Sequence, residues 1–525
     1  MLTVSSRFQE RLRWLQDADL GPLLTRGRKG IEKECLRVTP TGDIAHTPHP
    51  RALGSALTHP DITTDYSEAL LEFRTPPCAD VEETVGFLED IHRYVYGCLE
   101  DEILWAASMP CRLHGDEDIP IAQYGHSNVG KMKHIYRRGL GYRYGRAMQA
   151  IAGVHFNYSL PEAFWPAYQH QEGESGPLRD FVDRSYFGLV RNIQRYGWLP
   201  LYLFGASPAV CRSFGGLRDA DFERLDPETF YAPFATSLRM SDFGYKNKSQ
   251  RGLDISYNGL SEYVAGLCRA IETPYAPYRE IGVKVDGEYR QLNDHILQIE
   301  NEYYSFVRPK QVARSGERPT LALERRGVQY VELRALDLGC FHPSGLDAGE
   351  IRFLEAFMLF CLFTESPPLT GEESREIEHN QLAVARHGRD PDVTLQERGI
   401  SRPFAEFALD VCGRIEAICA LLDGAAPERP YGSVLNRQRA AVHDPSLLPS
   451  ARMLAEMRER GEPFVAFALR RSEQHARYYR DRPLSEERAA YFAEAAEASL
   501  AKQAEIERTD DLSFEDYLKR YYANC

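Results

Sequence analysis

The sequence lacks several features that would each assign it to a familiar class. Its eleven cysteines include no Cys-x-x-Cys pair, and no Gly-x-Ser-x-Gly or strand-borne Gly-x-Gly-x-x-Gly is present, which argues against common zinc, hydrolase and dinucleotide sites. The longest strongly apolar stretch, Phe353–Phe363, includes Glu355 and is too short to cross a bilayer, so we predict a buried helix there. The N-terminus has scattered charges and no apolar segment, unlike a signal peptide.

The charge balance excludes another broad class. The 525 residues include 63 Lys and Arg against 77 Asp and Glu, a net charge of −14, and an acidic surface of this kind repels a phosphate backbone. We therefore expect no nucleic-acid partner and no membrane partner. The chain is long enough to bury a sizeable core without disulfides. We expect a cytoplasmic protein with reduced thiols.

The order of patterns along the chain predicts an α+β protein with a mostly antiparallel sheet. Helical periodicity is clear in the first twenty residues and in 81–105, and strand patterns occur at 30–38, 153–160, 295–309 and 330–338. Asp286-Gly287 separates two alternating runs, which is typical of a hairpin. After about 365 the sequence becomes rich in Ala, Glu, Arg and Leu. We predict a core over 1–365 and a helical region over 366–525 packed on it.

Two apparent motifs fail inspection. The run GHSNVGK at 125–131 has phosphate-loop spacing, but Met132 stands where the magnesium-binding Ser or Thr belongs and no apolar strand leads into it. His46, His49 and His59 lie close together in a Pro-rich loop without Cys partners. We interpret them as loop histidines rather than a zinc site.

Carboxylates placed within apolar strand patterns are the informative feature. In GIEKECLRV, Glu32 and Glu34 are two residues apart, so a strand puts both on one face about 7 Å apart. Such a pair suits a hard divalent cation, although a solvent-exposed polar face explains it equally well. The run DYSEALLEF adds Asp65, Glu68 and Glu72 among apolar residues, where an unpaired buried carboxylate is costly.

Three further segments extend this pattern. His155 shares a strand face with Asn157 in GVHFNYSL, and HILQIENEYY places Glu300 and Glu302 on one face of a predicted strand, as a second tier of possible ligands. In YVELRALDL, Glu332 and Arg334 lie opposite Val331, Leu333 and Ala335. This acid and arginine form either a simple ion pair or a metal ligand beside a group that stabilises a transferring phosphoryl. Together the segments favour a nucleotide site with several magnesium ions.

These residues also carry a resemblance to a known family. The runs GIEKECLRV, ALGSALTHPDITTDYSEALLEF, GVHFNYSLP, YLFGASPA, ATSLRMSDFGY, LQIENEYY and YVELRALD resemble the proteobacterial glutamate–cysteine ligases. The resemblance runs in order to about residue 365 and continues more loosely beyond it. It implies a glutamine-synthetase-like fold, in which a curved antiparallel sheet forms a funnel-shaped active site surrounded by helices. It also implies the ATP-dependent joining of L-glutamate to L-cysteine through γ-glutamyl phosphate, the first step of glutathione synthesis.

The resemblance implies roles for individual residues. Magnesium ions, with Mn²⁺ as a substitute, are expected on Glu32, Glu34, Asp65, Glu72, His155 and Glu332. Arg334 is expected beside the transferring phosphoryl group. Tyr136, Leu140, Gln149, Tyr245 and Tyr304 are expected to form the cysteine pocket, with Arg137 and Arg239 meeting substrate anions. Relatives also suggest a monomer.

Other functions remain open at this point. A γ-glutamyl ligase for a different amine would share the chemistry, and a phosphagen-type kinase would share the general fold but stop at phosphoryl transfer. A non-catalytic binding protein would be expected to have lost metal ligands, yet all six residue types are present.

Overall fold

The structure is a computed structural model that describes residues 6–215, 222–244, 253, 255–314, 316–426 and 428–523. Its strands, in chain order, are β1 (Arg28–Val38), β2 (Ile62–Thr64), β3 (Leu70–Arg74), β4 (Ile103–Leu104), β5 (Val154–Ser159), β6 (Ala209–Cys211), β7 (Glu223–Asp226), β8 (Thr229–Tyr231), β9 (Lys284–Val285), β10 (Glu288–Tyr289), β11 (Val307–Lys310), β12 (Tyr330–Leu336), β13 (Thr394–Glu397) and β14 (Ile400–Pro403).

Its helices are α1 (Ser6–Asp17), α2 (Gly21–Leu24), α3 (Val81–Cys98), α4 (Asn128–Tyr144), α5 (Arg146–Gln149), α6 (Phe164–Gln171), α7 (Leu178–Tyr196), α8 (Trp198–Phe204), α9 (Leu260–Glu272), α10 (Ala276–Ile281), α11 (Pro319–Arg326), α12 (Ala348–Phe363), α13 (Gly371–His387), α14 (Phe404–Ala425), α15 (Pro430–His443), α16 (Pro449–Arg460), α17 (Phe464–Arg480), α18 (Glu486–Thr509) and α19 (Phe514–Tyr522). None of these described helices is both long enough and apolar enough to span a membrane.

The main sheet has the strand order β11-β12-β5-β1-β3-β2, with β4 paired to one end of β1. Every one of these pairs is antiparallel. Side chains on β12 alternate between the two faces of the sheet, as predicted. Val331, Leu333 and Ala335 are buried in the core, while Glu332 and Arg334 face a cavity. One face of the sheet is therefore apolar and the other carries charge.

The core lies against the apolar face. The predicted buried helix is α12, and Phe353, Phe357 and Phe360 on it are almost completely inaccessible to solvent. Glu355 tolerates this position because the Lys29 ammonium lies 2.6 Å from one carboxylate oxygen. The Tyr431 hydroxyl donates a hydrogen bond to the other oxygen at 2.8 Å. A buried acid needs such partners, and here they join β1, α12 and α15.

The region after 365 is helical as predicted, with one small β13–β14 hairpin that the sequence pattern did not indicate. Its helices pack on the front part of the chain, with α17 and α18 against α3 and α19 against α4. The predicted hairpin at Asp286-Gly287 is also present, because β9 and β10 pair across it and both turn residues have positive φ, 52° and 87°. That turn suits the twist of the flanking strands.

Two expectations are wrong. Strand structure within 295–309 is confined to β11, and Glu300–Glu302 is one turn of 3₁₀ helix instead. Glu300 is buried there because its carboxylate accepts hydrogen bonds from Arg318 and Thr320. Its place among apolar residues therefore does not mark a strand face. The expectation of reduced thiols is wrong at Cys268, which is disulfide-bonded.

Candidate active site

A cavity of about 370 Å³ opens on the charged face of the main sheet. It is lined by residues from β1, β2, β3, β5, β11 and β12 and from α4 and α5. The lining residues are Glu32, Glu34, Thr63, Thr64, Asp65, Tyr66, Glu72, Arg74, Lys133, Tyr136, Arg137, Leu140, Gln149, His155, Asn301, Tyr304, Arg308, Lys310, Tyr330, Glu332 and Arg334. Twelve of the fourteen side chains expected at the site are among them.

Strand register brings the acids together. Glu32 on β1 lies opposite His155 on β5, and Glu34 lies opposite Glu72 on β3. Because side chains alternate along a strand, residues 32 and 34 face the same side of the sheet, as predicted. Asp65 follows β2, the strand that pairs with β3. The six expected metal ligands therefore line one cavity.

Three of the six form a tight cluster. Ligand atoms of Glu32, His155 and Glu332 all lie within 4.8 Å of one another, and no second cluster of this kind occurs in the described part of the chain. The His155 Nδ1 is 3.2 Å from Glu32 Oε2 and 3.7 Å from Glu332 Oε1. Asn157 donates a hydrogen bond to Glu32 Oε1 at 2.9 Å and holds that carboxylate in place. Such outer contacts orient metal ligands.

The other acids repel one another. Burial and the Asp65 carboxylate raise the pKa of Glu34 to about 8, and burial raises that of Glu72 to about 7, with a further contribution from Glu32 that Arg74 opposes. Raised values of this kind mark a place where negative charge lacks enough compensation. A divalent cation would supply that compensation, so this half of the cavity also fits a metal.

Two cations lie beside the Glu332 carboxylate. Glu332 Oε1 lies 3.3 Å from Arg334 and Oε2 lies 3.6 Å from Lys310. Burial opposes ionisation of Glu332, but these two cations outweigh it and hold its pKa well below the usual range. The buried Oε2 accepts no hydrogen bond from any described residue, which leaves a lone-pair donor for a metal. Burial, together with Arg334, lowers the pKa of His155, so its imidazole is neutral as a ligand must be.

The opposite wall of the cavity is aromatic and amide-lined. Tyr136 and Leu140 lie one turn apart on α4, and Gln149 ends α5. The Gln149 amide donates to the Tyr304 hydroxyl at 2.8 Å, which fixes both side chains. Four of the five residues expected in the acceptor pocket thus form one wall. The fifth, Tyr245, lies outside the described residues.

The two expected anion-binding arginines have different positions. Arg137 donates to the backbone oxygens of Asp65 and Lys133, and it lines the main cavity. Arg239 lines a smaller adjoining cavity of about 120 Å³ that shares Tyr304 and Arg334 with the main one. It donates to the backbone oxygen of Arg334 at 2.9 Å.

Several lining residues were missed by sequence reasoning. The most important are the cations Arg74, Lys133, Arg308 and Lys310. The sequence contained patterns that could have predicted three of them. Residues 308 and 310 share one face of β11. Residue 133 lies one helical turn before Arg137 on α4. These cations balance the acids in the metal-free cavity.

The rejected motifs have structural roles. Ser127, in the run at 125–131, is the N-cap of α4 and accepts a hydrogen bond from the amide of Gly130. The Asp510 carboxylate accepts hydrogen bonds there from both the backbone N–H and the side-chain amide of Asn128. A carboxylate therefore occupies the helix N-terminus where a phosphate would bind. In the histidine-rich loop, His46 lies 2.9 Å from Asp118.

Comparison with known proteins identifies the family. A family model for glutamate–cysteine ligase matches residues 12–384. The glutamate–cysteine ligase of Pseudomonas paraeruginosa is 51% identical over 521 residues, which cover 99% of each chain. The chain belongs to the glutamate–cysteine ligase family. The family member of Azotobacter vinelandii is 52% identical over 524 residues, again with 99% of both chains covered.

A solved glutamate–cysteine ligase has the same fold. The crystal structure of the Francisella tularensis enzyme in complex with AMP matches with a TM-score of 0.89 and 35% identity, over 95% of this chain and 98% of that one. The predicted fold class, a glutamine-synthetase-like antiparallel sheet with surrounding helices, is confirmed.

Proposed function

We propose that this chain catalyses the ATP-dependent ligation of L-glutamate to L-cysteine, the first step of glutathione synthesis. An oxygen of the glutamate side-chain carboxylate attacks the γ-phosphorus of ATP, and ADP leaves. The cysteine amino group then attacks the carbonyl carbon of the acyl phosphate in γ-glutamyl phosphate, phosphate leaves, and the amine loses a proton. The observation that carries this proposal is the convergence of five carboxylates, His155 and Arg334 on one cavity with a polar aromatic wall.

The acidic residues fit magnesium. The six ligands are Glu32, Glu34, Asp65, Glu72, His155 and Glu332, and hard carboxylate oxygens dominate this set. The close cluster and the facing pair Glu34 and Glu72 favour more than one ion, with Mn²⁺ as a substitute. Bound Mg²⁺ would offset the repulsion between the ATP phosphates and the glutamate carboxylate.

The chain's own cations serve the phosphoryl group. Arg334 reaches into the cavity beside Glu332, where its guanidinium can stabilise charge on the transferring phosphoryl oxygens. Its backbone is held by Arg239, so Arg239 both lines the adjoining cavity and positions its neighbour. Arg137 is fixed by two backbone carbonyls and presents charge toward a substrate carboxylate.

The aromatic wall suits the acceptor. Tyr136, Leu140, Gln149 and Tyr304 surround a small space in which a thiol side chain contacts polarisable rings, and Tyr245 is proposed to complete it. This pocket separates the proposal from a phosphagen-type kinase, which stops at phosphoryl transfer to one substrate and needs no second site for an attacking amine. A pocket of this kind discriminates weakly against a neighbour in size such as 2-aminobutyrate.

The test measures phosphate release from ATP by the purified protein with Mg²⁺ and glutamate, with and without cysteine, alongside mass detection of the dipeptide. We expect cysteine-dependent release matched by γ-glutamylcysteine. Phosphate release without dipeptide would contradict the assignment and indicate either a different amine or a reaction that ends at phosphoryl transfer. We also propose that the enzyme is cytoplasmic, with a catalytic core over 1–365 and a helical region over 366–525. We propose that it is a monomer, and light scattering of the purified protein tests this.

A further inference from the structure

The C-terminal helix contacts the loop that supports the aromatic wall. The Tyr522 hydroxyl, at the end of α19, donates a hydrogen bond to the backbone oxygen of Gln298 at 2.8 Å. The same hydroxyl accepts one from the Asn293 amide at 3.1 Å. Residues more than two hundred positions apart are thus joined at one hydroxyl. Gln298 is fully buried, and Tyr522 is half-buried where it contacts it.

Gln298 in turn contacts the helix that carries the acceptor residues. Its side-chain amide donates to the backbone oxygen of Tyr136 at 3.2 Å. It also lies so close to α4 that a Cβ added at Gly139 would overlap its amide oxygen. The side chain of Gln298 therefore sets the distance between the loop and the stretch of α4 that contains Tyr136.

A second branch leads from the same loop to the other side of the wall. The backbone N–H of Gln298 donates to Glu302 Oε2 at 2.6 Å. Glu302 Oε1 accepts from Arg143 at 2.8 Å and from the Tyr144 hydroxyl at 2.6 Å. The Tyr144 ring meets the edge of the Tyr304 ring, with centroids 6.0 Å apart. Arg143 and Glu302 have no solvent-exposed side-chain area.

We propose that α19, through Tyr522, positions the acceptor pocket and so sets the affinity for the acceptor amino acid. This inference rests on the proposed function, because it assumes that Tyr136 and Tyr304 contact that substrate. Through Gln298, the hydrogen bonds from the helix reach Tyr136 directly and reach Tyr144, whose ring contacts Tyr304. They do not reach the metal ligands, so the effect should be confined to the acceptor. Tyr522 is a positioning residue, since its side chain lines neither cavity.

The primary test is Tyr522→Phe in the full-length protein, assayed for cysteine-dependent phosphate release. Loss of the two partly buried hydrogen bonds at this hydroxyl should raise the KM for cysteine about threefold to tenfold, with the KM values for ATP and glutamate unchanged. The matched control is Tyr517→Phe on the same helix, because the Tyr517 hydroxyl makes no hydrogen bond to any described residue. This control should leave all three KM values at the wild-type level.

A second variant perturbs the same contact from the other side. Gly139→Ala replaces a helix-interior glycine, which by helix propensity alone should favour folding. Its methyl group would displace Gln298, however, and we expect it to raise the KM for cysteine as Tyr522→Phe does. The 2-aminobutyrate KM should rise in parallel, since the whole wall moves.

The outcomes separate this inference from the function on which it rests. If the wild-type protein shows no cysteine-dependent turnover, the proposed function fails and this inference fails with it. If the wild-type protein is active and Tyr522→Phe leaves the cysteine KM unchanged, only the inference is refuted. An equal rise in all three KM values would also refute it, because it would show a general structural effect.

Discussion

Replacing Glu332 by Gln removes one charge from the centre of the cavity and almost no volume. The side chain is 1% exposed, with Arg334 at 3.3 Å and Lys310 at 3.6 Å, so the change leaves two cations without their buried partner. Breaking such a buried ion pair costs about 3–5 kcal/mol. If most of that cost falls on the loaded active site, kcat/KM should drop by at least about a hundredfold.

The assay follows phosphate release over a range of Mg²⁺ concentrations. For Glu332→Gln we expect a large activity loss together with a higher Mg²⁺ requirement, because a ligand is lost as well as a charge. Glu324→Gln, on the exposed side of α11, is the control with the same chemical change and should behave as wild type. A Glu332→Gln protein with near-normal turnover and an unchanged Mg²⁺ requirement would refute the metal assignment.

Three further predictions follow from the same contacts. In the metal-free protein the pKa of Glu34 is raised to about 8, so the folded state holds the proton more tightly. The free energy of unfolding relative to Glu34→Gln should therefore fall as pH rises from about 4.5, the ordinary value, to about 8 and level off above that; thermal unfolding in EDTA checks this, and an unchanged difference would contradict it. Lys29→Met leaves Glu355 buried without its cation and should cost about 3–5 kcal/mol, measured by denaturant unfolding; a loss below about 1 kcal/mol would show that the pair matters little. Tyr304→Phe removes the hydroxyl that accepts a hydrogen bond from the Gln149 amide. It should raise the KM for cysteine more than the KM for ATP; equal rises in the two KM values would contradict a role for Tyr304 in the acceptor pocket.

The strand patterns predicted most of the site because alternation along a strand is a local property. Burial of Val331 and Leu333 on one side of β12 requires Glu332 on the other, and the same logic places Glu32 with Glu34. Each short sequence thus indicated which face its acids occupy. The resemblance to a family, rather than periodicity, indicated that these separate faces belong to one cavity.

What the sequence could not show was which acids find partners elsewhere. Glu68 resembled Asp65 and Glu72 in its setting, yet its carboxylate accepts hydrogen bonds from the backbone amides of His49 and Gln123. Glu302 is likewise occupied by Arg143. These partners come from distant parts of the chain, so only the folded arrangement distinguishes a paired acid from a candidate ligand.

The central claim is that the cavity transfers a phosphoryl group to the side-chain carboxylate of glutamate. The most direct measurement uses glutamate labelled with ¹⁸O in that carboxylate, together with ATP, Mg²⁺ and cysteine, and mass analysis of the released phosphate. If γ-glutamyl phosphate forms, one labelled oxygen should appear in each phosphate released during dipeptide synthesis. Phosphate without the label, formed alongside the dipeptide, would contradict this account.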